Sequence, residues 1–81
     1  MTVDEFDKKY ENYLEERHYG LAINNPKVIT FLDNIFQDLT RIPGFKYSQI
    51  KMKFGTSRFY STLGAELSYL IEERINQIYK E

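Results

Sequence analysis

Apolar residues recur at three- and four-residue spacing in three stretches of the chain, a pattern that predicts three helices. The first begins at the capping box of residues 2–5, Thr-Val-Asp-Glu, and ends near Gly20. The second begins at Asn25, an N-cap followed by Pro26 at the first helical position, and continues to about Leu39. Residues 21–23, Leu-Ala-Ile, form a short extended link between these two helices.

The third helix follows Ser61 and Thr62, either of which can act as its N-cap, and Gly64 moves the expected start to Ala65. Each helix has one apolar stripe, which we expect to face the core. The stripes are Phe6, Tyr10, Tyr13, Leu14 and Arg17; Val28, Phe31, Leu32, Ile35, Phe36 and Leu39; and Leu63, Leu67, Leu70, Ile71, Ile75 and Ile78.

Strand periodicity occurs only in residues 47–62, where apolar and polar positions alternate. Gly55-Thr56 can turn the chain back, so the segment predicts a β-hairpin. A loop with an even residue count then places Phe59 on the apolar face and leaves a basic face opposite. The apolar face consists of Ile50, Met52, Phe54 and Phe59, and the basic face consists of Lys51, Lys53, Arg58 and Tyr60.

These elements predict an α+β fold in a single domain of residues 1–81, in the order α-α-β-β-α, with one β-hairpin packed against three helices. An isolated hairpin is marginally stable in water, so its apolar face must be covered by the helices. The expected core joins Ile50, Met52, Phe54 and Phe59 to Phe31, Leu32, Ile35, Leu70 and Ile71.

Charge is segregated along the chain, although the net charge is only −1. Residues 1–40 contain four basic and eight acidic residues, and residues 63–81 contain two basic and four acidic residues. Residues 41–62 contain five basic residues and no acidic residue. The hairpin therefore lies in a basic segment between two acidic segments.

The composition narrows the environment and the chemistry that we expect. The chain has no cysteine, which fits a reducing compartment, and neither a leader nor a long apolar run is visible. We therefore expect a cytoplasmic protein without a membrane segment. Without cysteine, a glycine-rich phosphate loop or a paired metal-ligand motif, the usual nucleophile and base sets cannot be assembled, so we expect no enzyme, no cofactor and no metal site.

Residues 49–60 read Q-I-K-M-K-F-G-T-S-R-F-Y. This segment resembles the Q-I-K-x-K-F-G-x-x-R-F-Y signature of small uncharacterised proteins from bacteriophages and prophages. In those proteins an acid often stands at the position of Met52 and a leucine at that of Ser57, and a cysteine-paired tail often follows. The resemblance covers about a dozen residues and implies a phage or prophage origin and a host-cell cytoplasm. Because this chain lacks the cysteines, the resemblance brings no metal-dependent role with it.

The clustered cations and Tyr60 predict an anion site, since Arg58 can grip phosphate bidentately and a tyrosine can stack on a base. Lysines at a hairpin edge also prevent edge-to-edge pairing, so a solvated basic face is the alternative. Five cations are few for a protein that binds duplex nucleic acid. The expected ligand is a nucleotide signal or a nucleic acid.

A second candidate surface comes from aromatic residues outside the predicted stripes, because such residues often mark a partner interface. Tyr19, Tyr69 and Tyr79 are the candidates, and Tyr47 also lies outside the expected core. A host protein or a second copy of the chain, in a homodimer, would fit this surface.

Other charged residues of the first helix have simpler explanations. Asp4, Asp7, Glu11 and Glu15 can line one side, either as a solvated face or as a metal or partner site. His18 lies near the end of the helix, where a cation favours the helix dipole.

Two functions follow from the sequence. The first is a non-enzymatic, phage-type interaction protein that binds and modulates a host protein. The alternative is a binder of an anionic ligand, a nucleotide signal or a nucleic acid, through the basic hairpin of residues 46–60.

Overall fold

A computed structural model describes residues 1–16 and 19–81, and it shows a mixed α+β fold of three α-helices and a three-stranded sheet. The helices are α1 (Val3–Lys9), α2 (Pro26–Leu39) and α3 (Ala65–Lys80), with a 3₁₀ helix at Glu11–Tyr13. The strands are β1 (Gly20–Leu21), β2 (Tyr47–Lys53) and β3 (Thr56–Ser61).

The sheet has the order β1-β2-β3, with β2 in the centre. Strands β2 and β3 form the predicted antiparallel hairpin, and β1 pairs in parallel with β2. Parallel neighbours need a crossover connection, which α2 provides. Aromatic rings from α1 and α2 pack against rings of the hairpin, and α3 runs along β3, so the helices cover one face of the sheet.

One hydrophobic cluster fills the space between the helices and the sheet. Phe36 of α2 lies at its centre, with ring centroids 4.9 Å from Phe6, 5.1 Å from Tyr47 and 6.3 Å from Phe59. Edge-to-face contacts of this kind stabilise a core beyond the area that they bury.

The predicted core is largely confirmed. Leu32, Ile50, Phe59 and Ile71 are buried. Phe31, Ile35 and Met52 are partly buried against the cluster.

Four assignments about the core were wrong. Phe54 is 91% exposed because it lies in the turn, and Leu67 and Leu70 are 40% and 58% exposed on the outer side of α3. Tyr47 is fully buried rather than outside the core. A register shift between Tyr47 and Gln49 explains this, since an extra residue in a strand reverses the facing of those beyond it.

The first helix is shorter than the pattern predicts. The Thr2–Glu5 capping box is present, but α1 ends at Lys9 and the chain does not remain helical to Gly20. Beyond the 3₁₀ helix, Leu14 forms a parallel bridge with Tyr47, and the Glu15 N–H donates to the Tyr47 carbonyl at 2.8 Å. The backbone here bonds to β2 instead of continuing the helix. The predictions for Arg17 and His18 lie outside the described residues.

The predicted extended link contains part of a third strand. Gly20 pairs with Gln49 and Leu21 with Ile50, and the Ala22 N–H donates to the Ile50 carbonyl at 2.8 Å. Two residues are too few to show strand periodicity, so the sequence pattern did not reveal this element.

Helix α2 begins and ends as predicted, with the Asn25 side chain accepting from the N–H groups of Lys27 and Val28. Helix α3 begins at Ala65 as expected, but its N-cap is Gly64 and not Ser61 or Thr62. Those two hydroxyls bond elsewhere, to the Leu63 N–H and to the backbone of Lys46.

Candidate ligand-binding face

The turn of the hairpin consists of Phe54 and Gly55, one residue earlier than the predicted Gly55-Thr56 turn. Both residues have positive φ, 53° and 77°, as a two-residue type I′ turn requires. The loop keeps an even residue count, so the assignment of the remaining strand residues to two faces is correct.

The basic face, defined as Lys51, Lys53, Arg58 and Tyr60, lies on the side of the sheet opposite the core. Lys51 pairs directly with Arg58, Gln49 with Tyr60, and Lys53 with Thr56. Opposed residues share a face, whereas Ile50 and Phe59 point into the core. The four predicted ligand residues are therefore neighbours on one surface.

Each aromatic ring at this surface has a cation close to it. The Lys51 Nζ lies 5.8 Å from the centroid of the Tyr60 ring, and the Lys53 Nζ lies 5.7 Å from that of the Phe54 ring. Tyr60 is 45% exposed. Cations within about 6 Å of a ring face are attracted by its quadrupole, so these contacts order long side chains at the surface.

The positive charge of the basic face is not neutralised by neighbouring carboxylates. Within residues 1–16 and 19–81, neither Lys51, Lys53 nor Arg58 forms an ion pair. Like charges directly opposite each other in a sheet are unfavourable, as Lys51 and Arg58 are here. A bound anion would relieve that repulsion.

One acidic side chain of α3 is engaged at the edge of β3. Glu72 of α3 accepts from the Phe59 N–H at 2.8 Å. That carboxylate therefore satisfies the edge of β3 and does not pair with Arg58.

The three tyrosines proposed as a partner surface are all exposed, but they do not form one patch. Tyr19 precedes β1, which is the edge strand opposite β3, whereas Tyr69 and Tyr79 lie on α3 beside β3. Ten residues of helix separate Tyr69 from Tyr79 by about 15 Å. A hydrogen bond to Glu73 raises the pKa of Tyr69 above its usual value.

Sequence reasoning missed two exposed apolar features. Phe54 was assigned to the core, although a glycine at the second position of a two-residue turn is a signal that would have placed Phe54 in the turn. Leu67 and Leu70, which are 40% and 58% exposed, lie one turn apart on α3. The helical period alone cannot tell a stripe's centre from its margin.

Asp7 was grouped with a solvated acidic face, but it is half-buried and joins three elements. Its carboxylate accepts from the Tyr47 hydroxyl at 2.7 Å and from the Leu21 N–H at 3.1 Å. Burial raises the pKa of Asp7, although these hydrogen bonds oppose the shift. Burial, together with the Asp7 carboxylate, also raises the pKa of Tyr47. These hydrogen bonds of Asp7 connect α1 to β1 and β2.

A second polar group joins α1 to α2. The Tyr10 hydroxyl donates to Asp33 Oδ1 at 2.6 Å and accepts from Gln37, and Lys9 forms an ion pair with the same Asp33 oxygen at 2.8 Å. Partial burial disfavours the charge of Asp33, but the bonds from Lys9 and Tyr10 outweigh it and lower the pKa. Both polar groups stabilise the fold away from the basic face.

Among the described residues, no cluster of three or more histidine, aspartate or glutamate side chains could hold a metal ion. In the same part of the chain, no helix has the length and apolar character needed to cross a bilayer. Comparison with protein-family models, with curated proteins and with solved structures finds no match to this chain.

Proposed function

We propose that this protein is a non-enzymatic binding protein whose basic face holds a phosphate-bearing ligand, either a nucleotide or a nucleic acid. One observation carries the proposal. Two opposed cations, Lys51 and Arg58, share an uncovered sheet face with Lys53 and Tyr60, without an ion pair among the described residues. Such a face attracts anions and offers a guanidinium for bidentate phosphate contacts.

Protection of a sheet edge explains only part of this arrangement. The end of β2 that carries Lys51 and Lys53 extends beyond its pairing with β1, so these lysines can block edge pairing there. Arg58 and Tyr60 belong to β3, whose outer N–H groups already bond to α3. Their place on the basic face is better explained by a ligand.

The test compares two double variants with the same change in net charge. Lys53→Ala with Arg58→Ala removes two cations from the basic face, and Lys27→Ala with Lys80→Ala removes two exposed cations from helix ends. We expect the first variant to lose affinity for a fluorescent ATP analogue or a labelled oligonucleotide, while the second retains it. The control variant should stay within about 0.5 kcal/mol of wild-type stability, because Lys27 and Lys80 are exposed. Arg58 is partly buried, so thermal unfolding checks that the first variant remains folded under the binding conditions.

Salt dependence provides a second measurement. Each phosphate contact with a single strand contributes about −0.7 to the slope of log affinity against log salt concentration, so removing two contacts should flatten the slope by about 1.4. Equal affinities in the two double variants, or no binding of either probe by wild type, would overturn the proposed function.

A second candidate function, binding and modulation of a host protein, is favoured by the apolar patch of Leu67 and Leu70. Such patches often mark protein interfaces. A phage or prophage origin and a cytoplasmic location remain part of this proposal and rest on the sequence. A host protein should co-purify with wild type and be lost with Leu70→Glu. Ile42→Glu, at another exposed apolar residue, is the control. A homodimer would instead double the molar mass measured by light scattering.

A further inference from the structure

Phe54 occupies a position that neither turn chemistry nor packing explains. Its φ of 53° lies in the left-handed region, where the first position of a type I′ turn favours asparagine, aspartate or glycine. Its side chain is 91% exposed, so it gives the core nothing in return. Residues held in such conformations concentrate at functional sites. A binding role would account for an aromatic ring here.

A second aromatic ring, that of Tyr60, lies on the basic face, whereas the Phe54 ring lies in the turn, beyond the other end of the cations, with the Lys53 Nζ 5.7 Å from its centroid. Tyr60 pairs with Gln49, and Phe54 is five residues further along the chain than Gln49, so the backbones of the two aromatic residues are roughly 16 Å apart. Lys51 and Arg58 lie between them. The surface is therefore a row, with an aromatic ring at each end and cations in the middle.

A row of this kind suits a strand of nucleic acid better than a single nucleotide. One base can stack on one ring, and a mononucleotide cannot reach across roughly 16 Å to the other. Stacked nucleotides place one phosphate about every 3.4 Å, so about five nucleotides span the row. In a duplex the base faces are buried in the stack and are not available to the rings.

We propose that the ligand of the basic face is a single-stranded nucleic acid, with bases stacked on Phe54 and Tyr60 and phosphates bound by Lys51, Lys53 and Arg58. This inference rests on the proposed function. Proteins that bind single strands without sequence preference combine aromatic platforms with a basic track in this way.

The test measures fluorescence anisotropy of a labelled single strand of about eight nucleotides, within the usual range of site sizes. Phe54→Ala and Tyr60→Ala should each weaken binding about 5- to 150-fold, the range found for one base–aromatic stack. Phe54→Tyr keeps an aromatic ring and should bind like wild type. Tyr69→Ala, at an exposed aromatic residue on α3, is the matched control and should bind like wild type.

Phe54→Asn separates binding from folding, because asparagine suits the turn better than phenylalanine. We expect this variant to unfold at or above the wild-type temperature and yet bind as weakly as Phe54→Ala. DNA and RNA strands of the same sequence are both tested, and binding of either supports the proposal. Stacking does not need the 2′-hydroxyl.

Two results would overturn the inference while leaving the proposed function intact. One is equal affinity for the strand and for a mononucleotide, with both lost in the Lys53/Arg58 double variant. The other is tighter binding of the matching duplex, since stacking on the rings would then be excluded. If wild type binds no phosphate-bearing probe and captures an acidic protein instead, both the inference and the proposed function fail.

Discussion

At the scale of single residues, Asp7 and Gly20 fit together closely. A Cβ built at Gly20 would lie 2.5 Å from Asp7 Oδ2, and that carboxylate is held in place by Tyr47 and Leu21. Gly20 also has a φ of +71°, which other residues adopt at a cost. Glycine is thus needed at this position for two separate reasons.

We expect Gly20→Ala to lower the free energy of unfolding by more than Gly44→Ala does. Gly44 has a φ of +78° with nothing within 4 Å, so its substitution reports the backbone cost alone, about 1–3 kcal/mol. Gly20→Ala adds displacement of the Asp7 carboxylate. Urea unfolding measures both variants, and equal losses would mean that Asp7 moves aside without cost.

Asp7 and Asp33 should give stability opposite dependences on pH. The pKa of Asp33 is lowered from 3.8 by folding, so its contribution is present above that pH and is lost as the pH falls through the folded value. The pKa of Asp7 is raised from 3.8, so its contribution is full below that pH and declines as the pH rises through the folded value.

Unfolding of Asp33→Asn and Asp7→Asn as a function of pH checks these signs. The stability deficit of Asp33→Asn relative to wild type should be largest at neutral pH and shrink in acid. The deficit of Asp7→Asn should be largest in acid and smaller at neutral pH. Parallel curves for the two variants would contradict the opposite pKa shifts.

At the scale of elements, we expect the two phenylalanines of the hairpin, Phe59 and Phe54, to contribute very differently to stability. Phe59 is 3% exposed and packs on Phe36, whereas Phe54 is 91% exposed in the turn. Phe59→Ala should cost about 3–5 kcal/mol, as expected for a buried phenylalanine. Phe54→Ala should stay within about 0.5 kcal/mol of wild type. Thermal unfolding compares the two, and a large loss at Phe54 would place its ring in the core.

The elements that sequence predicted well are those with local signals. Helix α2 has an Asn25-Pro26 start, and the hairpin has strict alternation, so both could be placed from neighbouring residues. Strand β1 exists only because β2 lies beside it, and a two-residue strand has no period of its own. The end of α1 depends on the same pairing, through Leu14 and Tyr47. Contacts between distant segments determine both β1 and the end of α1, so the hydrophobic pattern could not predict either.

Part of the candidate site was also predictable, because it too has a local signal in the sequence. Alternation put Lys51, Lys53, Arg58 and Tyr60 on one face, and the register confirms that placement. The exposure of Phe54 was not predictable from hydrophobicity, which assigned it to the core. Its exposure follows from a one-residue shift of the turn, which Gly55 at the second turn position signals, although phenylalanine is not a preferred residue at the first position.

At the scale of the whole molecule, the helices cover one face of the sheet and leave the basic face open. Helix α3 also closes the outer edge of β3, because Asn76 accepts from the Ser57 N–H and Glu72 accepts from the Phe59 N–H, each at 2.8 Å. The Ser57 hydroxyl donates to the Glu72 carbonyl as well. This edge is thereby shielded from pairing with another chain while the basic face stays accessible.

Removing both side-chain acceptors should therefore change the assembly state as well as stability. Glu72→Ala with Asn76→Ala leaves two N–H groups of β3 unpaired, and an unpaired edge is a template for strand addition. We expect a loss of about 2–4 kcal/mol, since a bond to a charged acceptor contributes about 1.5–3 kcal/mol and a neutral one about 1. We also expect self-association that grows with protein concentration. Glu73→Ala with Gln77→Ala, on the exposed side of the same helix, is the control. Light scattering after size-exclusion chromatography measures the molar mass of each variant. If the Glu72/Asn76 variant is destabilised yet keeps the wild-type mass, then α3 shields the edge of β3 without these two side chains.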